Sequence, residues 1–217
     1  MNLHQLIDRF RKDAFDLVAP YFWSDDELTH YANQAETEAC RRALLIVDST
    51  SPVSRVDIVA GDEGVTLDPA VVYVRRAKLA SRGRTLIFKC ARAMDEEFPG
   101  WENAVPSIPV VAIPDFQTGY LRFWPPSVAA DTLEATVIRT PLREMENEED
   151  FPEISPRYHV HLLKWMKHLA YSKPDADTYD RDRGQLFAEQ FTAEFGPPRA
   201  ALDEHWAAEQ YYDIGAY

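Results

Sequence analysis

Glycine is scarce in this chain. Eight glycines in 217 residues stand singly in turns, so no Gly-rich loop is available to cradle a phosphate. Cysteine is scarcer still. Cys40 and Cys90 fall in segments expected to be regular and lack the paired spacing of a metal site. They are expected to be reduced packing residues of a protein made inside the cell. Positive charge is in deficit, with 23 lysines and arginines against 36 acids and a net charge of −13. Phosphate backbones are gripped by clustered cations, so general nucleic-acid affinity is not expected. No apolar run approaches the roughly 18–20 residues that span a bilayer. The opening MNLHQLIDRFRKD lacks the apolar stretch of a signal peptide. Neither a Gly-x-Ser-x-Gly elbow nor a His-Glu-x-x-His pair occurs.

What remains is a composition that folds, 46% hydrophobic, long enough to bury a sizeable core. Ser155–Gly196 reads as two helices joined by a corner at Pro174. Ser155 is placed to cap the first, and Pro156 sits where a first-turn proline costs little. Tyr158, Leu162, Trp165, Met166 and Leu169 recur at helical spacing and are expected to line the buried face. Asp175 and Asp177 are expected to open the second helix, where peptide dipoles favour negative charge. Phe187, Phe191 and Phe195 form a ladder at four-residue steps, and Gly196-Pro197-Pro198 ends it. Near the start, Leu3, Leu6, Ile7, Phe10, Ala14 and Leu17 predict a helix over 3–17. Ser24 and Glu27 form a capping box, with Trp23 and Leu28 positioned as a hydrophobic staple. The helix that follows is expected to run to Val47, burying Leu28, Ala32, Ala35, Ala39 and Ala43.

Between these helical pairs the period changes. Short apolar runs at Val56–Ile58, Val71–Val74, Leu86–Phe88, Pro109–Ile113, Tyr120–Trp124 and Thr132–Arg139 alternate with turn residues. They predict a small antiparallel sandwich or barrel, with Val71–Val74 covered on both faces. The expected class is therefore α+β: an antiparallel helical bundle (1–51 with 141–196), an inserted β module (52–140) and an extended C-terminal tail (197–217). The tail carries Trp206, Tyr211, Tyr212 and Tyr217. Aromatic anchors of this kind suit docking onto another surface, and equally suit folding back onto their own domain.

Catalytic and metal chemistry finds little support. His159 and His161, two apart on a helix, point in different directions, so no metal is expected there. Asp175–Asp182 lacks the loop glycine and terminal glutamate of an EF-hand. Acid pairs such as Asp25 with Glu27, Glu96 with Glu97, and the run Glu144–Asp150 follow from an acid-rich composition. The glutamates at 144, 146, 148 and 149 are expected to be solvated. No cofactor is expected.

The residues do resemble one family. SDDELTHYANQAETEACRRALLI resembles the early helix of tailed-phage head-to-tail adaptor (connector) proteins, and YHVHLLKWMKHLAYSKPDADTYDRDRGQLFAEQFTAEFG their closing helical hairpin. LDPAVVYVRRAKL and IRTPL resemble the β insertion between them. The plan is similar to that of podovirus tail-tubular proteins of the adaptor type. The resemblance implies a non-enzymatic virion subunit in a dodecameric ring between portal and tail nozzle, with DNA passing through the channel without specific binding. It also implies that the tail, with Trp206, Tyr211, Tyr212 and Tyr217, reaches onto the portal. Two other readings stay open: a cell-wall glycosidase using a carboxylate pair, and an interaction protein unrelated to virions.

Overall fold

Asn2 starts the first helix, α1 (Leu3–Ala14). Its side chain accepts the Gln5 N–H at 2.9 Å while the Gln5 side chain accepts the Asn2 N–H at 3.1 Å, satisfying two donors that the first turn leaves free. The helix stops at Ala14 and not at residue 17. Phe15 takes a left-handed conformation, φ 59°, and the Asp16 N–H turns back to the Arg11 carbonyl at 3.0 Å. Leu17, expected on the inner stripe, is exposed.

The capping box at Ser24 forms as its spacing predicts and opens α2 (Asp25–Ala43). Three acids occupy its first turn and Arg41 and Arg42 its last, each complementing the helix dipole. Leu28, Ala32, Ala35 and Ala39 are completely buried, and the small side chains let neighbouring helices come close. Glu27 does double duty, closing the box and pairing with Lys173. The helix ends earlier than expected. Leu44 adopts a left-handed cap, and Ile46–Asp48 continues as a strand, β1.

The closing hairpin is present with its details moved. Ser155 makes no side-chain cap; a 3₁₀ turn, Pro156–Tyr158, precedes α4 (His159–Ser172). The buried residues of α4 are His159, Leu162, Leu163, Met166, Ala170 and Tyr171, so the core face is rotated from the expected one. Trp165 and Leu169 are only half-buried, because α4 packs against α1, α2 and α5 and uses more than one stripe. The last helix, α5 (Arg181–Phe195), is capped by Asp180, which accepts the Arg183 N–H at 3.0 Å. Asp175 and Asp177 lie in the preceding turn. Phe191 and Phe195 are buried with ring centroids 4.6 Å apart, and Gly196 ends the helix.

The computed structural model describes residues 1–175 and 177–198, in two compact units: Met1–Ile46 with Thr140–Pro198, and Val47–Arg139. The architecture is α+β, a helical bundle with an inserted β unit. The β unit contains β2 (Arg55–Ile58), β3 (Gly64–Thr66), β4 (Val71–Leu79), β5 (Ile87–Phe88), a short helix α3 (Ala91–Glu97), β6 (Val111–Gln117), β7 (Tyr120–Trp124) and β8 (Asp131–Arg139). One sheet runs β1-β8-β2 with β4 also on β8, and the other runs β3-β7-β6-β5. Neither closes into a barrel. The β5–β6 pair is parallel, which α3 makes possible by carrying the chain back across. Val71–Val74 opens a longer strand, and Val71, Val72 and Tyr73 are half-buried, not covered on both faces.

Both sheets feed one apolar cluster. Ile58, Val74, Leu133 and Val137 come from one, and Val65, Ala112, Leu121 and Phe123 from the other. Burying a side chain of this size contributes about 1.5–3 kcal/mol. Gly64 is required where β3 meets β7, since a Cβ there would fall 2.3 Å from the Leu121 carbonyl oxygen. Asp48 and Arg139 form a buried ion pair at 2.6 Å. The Asp48 carboxylate also accepts the Thr50 and Ser51 N–H groups at 2.9 and 3.1 Å.

Candidate functional site

The segment joining α1 to α2, residues 15–22, inverts the usual order of burial. Phe15, Leu17, Val18, Tyr21 and Phe22 are all exposed, Phe15 by 86% and Val18 by 79%. Single exposed apolar residues are ordinary, but five within eight positions form a patch of the kind that marks contact surfaces.

The patch is held from beneath by charge. Arg11, on the buried side of α1, lies 2.7 Å from Asp16 through Nη1 and 2.6 Å from Asp25 through Nη2. Its Nη2 also donates to the Trp23 carbonyl at 3.0 Å. The other oxygen of Asp16 accepts the Phe22 N–H at 3.1 Å, and the Arg11 guanidinium lies 3.8 Å from the centre of the Tyr21 ring. One guanidinium thus ties the end of α1, both ends of the loop and the start of α2. Trp23 anchors the far end, edge-on to Phe10 and to Tyr171. The loop is therefore shaped before any partner arrives, which lowers the ordering cost of association.

The expected acidic run has a different use. Residues 142–153 border an open cavity of about 840 Å³. Two of its carboxylates bind the loop's own backbone. Glu153 accepts the N–H groups of Leu142 and Arg143 at 2.7 and 3.2 Å. Asp150 accepts those of Asn147 and Glu146 at 2.7 and 2.9 Å. The N–H groups of Asn147 and Glu146 hold the Asp150 carboxyl below the usual carboxylate range. A glycosidase acid needs the opposite shift. Glu144, Glu146, Glu148 and Glu149 are exposed.

The two histidines part as expected. His159 is buried, with Nε2 2.9 Å from the Ile154 carbonyl oxygen and Nδ1 2.7 Å from the Met1 amino group and 2.9 Å from the Met1 carbonyl oxygen. His161 lies 3.4 Å from Glu194. Among the described residues no group of three or more His, Cys, Asp or Glu side chains is placed to hold a metal. No helix among them is long and apolar enough to cross a membrane. Cys40 is buried in α2, and the Cys90 sulfur caps α3. Trp206, Tyr211, Tyr212 and Tyr217 lie outside the described residues.

The model of one family, described as SU10 adaptor protein, matches residues 1–211. The chain belongs to that family. A search of curated proteins returns no match. Membership gives the chain a structural adaptor role in a tailed-phage head-to-tail family, and directs attention from clefts to contact surfaces. For such an adaptor the preformed apolar loop at 15–22 is the feature that reading by period missed. Its signal in the sequence was FDLVAPYF, four large apolar residues and a tyrosine around a proline, next to a helix that already had its apolar stripe.

Proposed function

We propose that this chain is a ring-forming adaptor of the podovirus tail-tubular type, joining the portal to the tail nozzle as a dodecamer at the head–tail interface of the virion. The family match over residues 1–211 carries this reading. The rigid apolar loop supports it, because a subunit that works by contact exposes apolar surface that a solitary protein would bury. The helical portions (1–51 with 141–196) act as the ring body. The β module (52–140) faces tail components, and the tail (197–217) docks on the portal through Trp206, Tyr211, Tyr212 and Tyr217. DNA passes through the ring during ejection without sequence-specific binding. The helical unit, with 12 basic residues against 20 acidic ones, suits a wall that does not grip the duplex.

Mass measurement of the purified chain, alone and after mixing with its portal, tests the proposal. A ring seated on the portal is expected. A chain that stays monomeric in both samples overturns it.

A further inference from the structure

Residues 15–22 have a second property besides their exposed apolar side chains. Their one charged residue, Asp16, is buried and paired with Arg11, so the surface they present is neutral. That matters in a chain of net charge −13, because two copies repel each other wherever their acids meet. A neutral apolar patch is where such copies can touch. Phe15, Leu17, Val18, Tyr21 and Phe22 together expose on the order of 500 Å², over half of the roughly 800 Å² that one side of a stable interface buries.

A receptor of matching character lies elsewhere on the same helical unit. α2 and α4 border an open cleft of about 300 Å³. Trp165 and Leu169 of α4, both half-buried, supply its apolar lining. Asn33, Gln34 and Thr37 of α2 supply neutral polar groups. Glu38 also lines it and is neutralised by Arg42 at 2.7 Å. The cleft is shaped in advance. Asn33 exchanges two hydrogen bonds with the Met145 backbone, at 2.8 and 3.0 Å, which fixes the neighbouring wall at Glu144. The Trp165 ring lies 4.8 Å from that of Phe191 and 4.7 Å from the Arg42 guanidinium. A tryptophan held in this way, with part of its face open, is the kind of side chain that dominates protein contacts.

The loop of one chain cannot fill its own cleft. Arg11 fastens the loop to the start of α2 at Trp23 and Asp25. Gln34 and Thr37 lie nine and twelve residues beyond Asp25, about 14–18 Å along the helix axis. A knob and a socket on one chain that cannot meet within it make a head-to-tail contact between copies. We propose that the 15–22 loop of one copy seats in the α2–α4 cleft of the next, where Trp165 and Leu169 receive its apolar side chains. The inference rests on the reading of the chain as a ring subunit and supplies the joint that repeats around the ring. A contact of this type closes when its rotation divides the circle, and otherwise runs on as a filament.

The test separates the two halves of the joint. Leu17→Asp with Val18→Asp damages the loop and spares the cleft. Gln34→Glu with Thr37→Glu damages the cleft and spares the loop. All four positions are exposed, so both variants should fold. Native mass is measured for each chain, free and with its portal. Either variant alone should join copies of itself about a hundredfold more weakly than the unmodified chain. An equimolar mixture should give one-to-one pairs and no ring, because one intact loop still finds one intact cleft. Leu186→Asp with Val160→Asp, at exposed positions elsewhere on the helical unit, should leave association unchanged. Normal association by either variant overturns the proposal, as do equal losses from the Leu186/Val160 pair or a mixture no better associated than its components. A cleft variant that still pairs with itself would show loop meeting loop. A loop variant that keeps its ring and loses only the portal would make the portal the occupant. Each of these outcomes, with the unmodified chain still forming its ring on the portal, sinks this inference alone. Open chains built through loop and cleft, with no ring on the portal, sink the ring reading alone. A chain monomeric in both samples sinks both.

Discussion

Arg11 and Asp16 form a buried ion pair, 2.7 Å apart and each less than one-tenth exposed, beneath a loop whose other side chains are apolar and face water. Removing one member of such a pair leaves an uncompensated charge in the interior. Asp16→Ala is expected to cost the helical unit about 3–5 kcal/mol, at the lower end because Asp25 still neutralises part of the guanidinium. Chemical denaturation measures the loss. A change under about 1 kcal/mol would show that the pair does not organise the loop.

The apolar residues above the pair should behave in the opposite way. Leu17→Ser with Val18→Ser removes exposed side chains only, so unfolding should shift by no more than about 0.5 kcal/mol per site. Association with other copies or with the portal should weaken measurably in sedimentation. Full association by the double variant would remove the loop from the list of contacts.

The β unit should carry an acid-sensitive element at Asp48. Burial alone would raise this carboxyl, but hydrogen bonds from Ser51, Thr50 and Arg139 outweigh it and hold it far below the usual range. A group depressed in the folded state stabilises above its unfolded value, about 3.9, and that contribution is lost as pH falls through the folded one. Stability of the unmodified chain should therefore decline below about pH 4, with Asp48→Asn both less stable at neutral pH and flatter in acid. Parallel acid limbs for the two proteins would contradict this.

Truncation after Gly196 tests the proposed tail. Every helix and strand described here ends before that residue, so the melting profile should persist while attachment to the portal weakens. Unchanged attachment would remove Trp206, Tyr211, Tyr212 and Tyr217 from the docking proposal.

Legibility followed the distance over which each feature is decided. The Ser24–Glu27 box and the Phe187/Phe191/Phe195 ladder were readable because their partners lie three or four residues apart. The end of α1 was not. Leu17 keeps the helical period, and only Arg11, reaching Trp23 and Asp25 twelve and fourteen residues away, pulls the chain out of line. The core face of α4 was ambiguous because Leu162, Leu163, Trp165, Met166, Leu169 and Ala170 surround the helix. β1 and β3 are three residues each, too short to show alternation, and the parallel β5–β6 pair leaves no trace in spacing.

Glu27 leaves one further consequence. It closes the first turn of its own helix and also grasps Lys173 just beyond the last turn of α4. The pair is about one-third exposed on each side and adds a modest restraint, so loosening one terminus should slightly speed amide exchange at the other, as though a light latch linked the two.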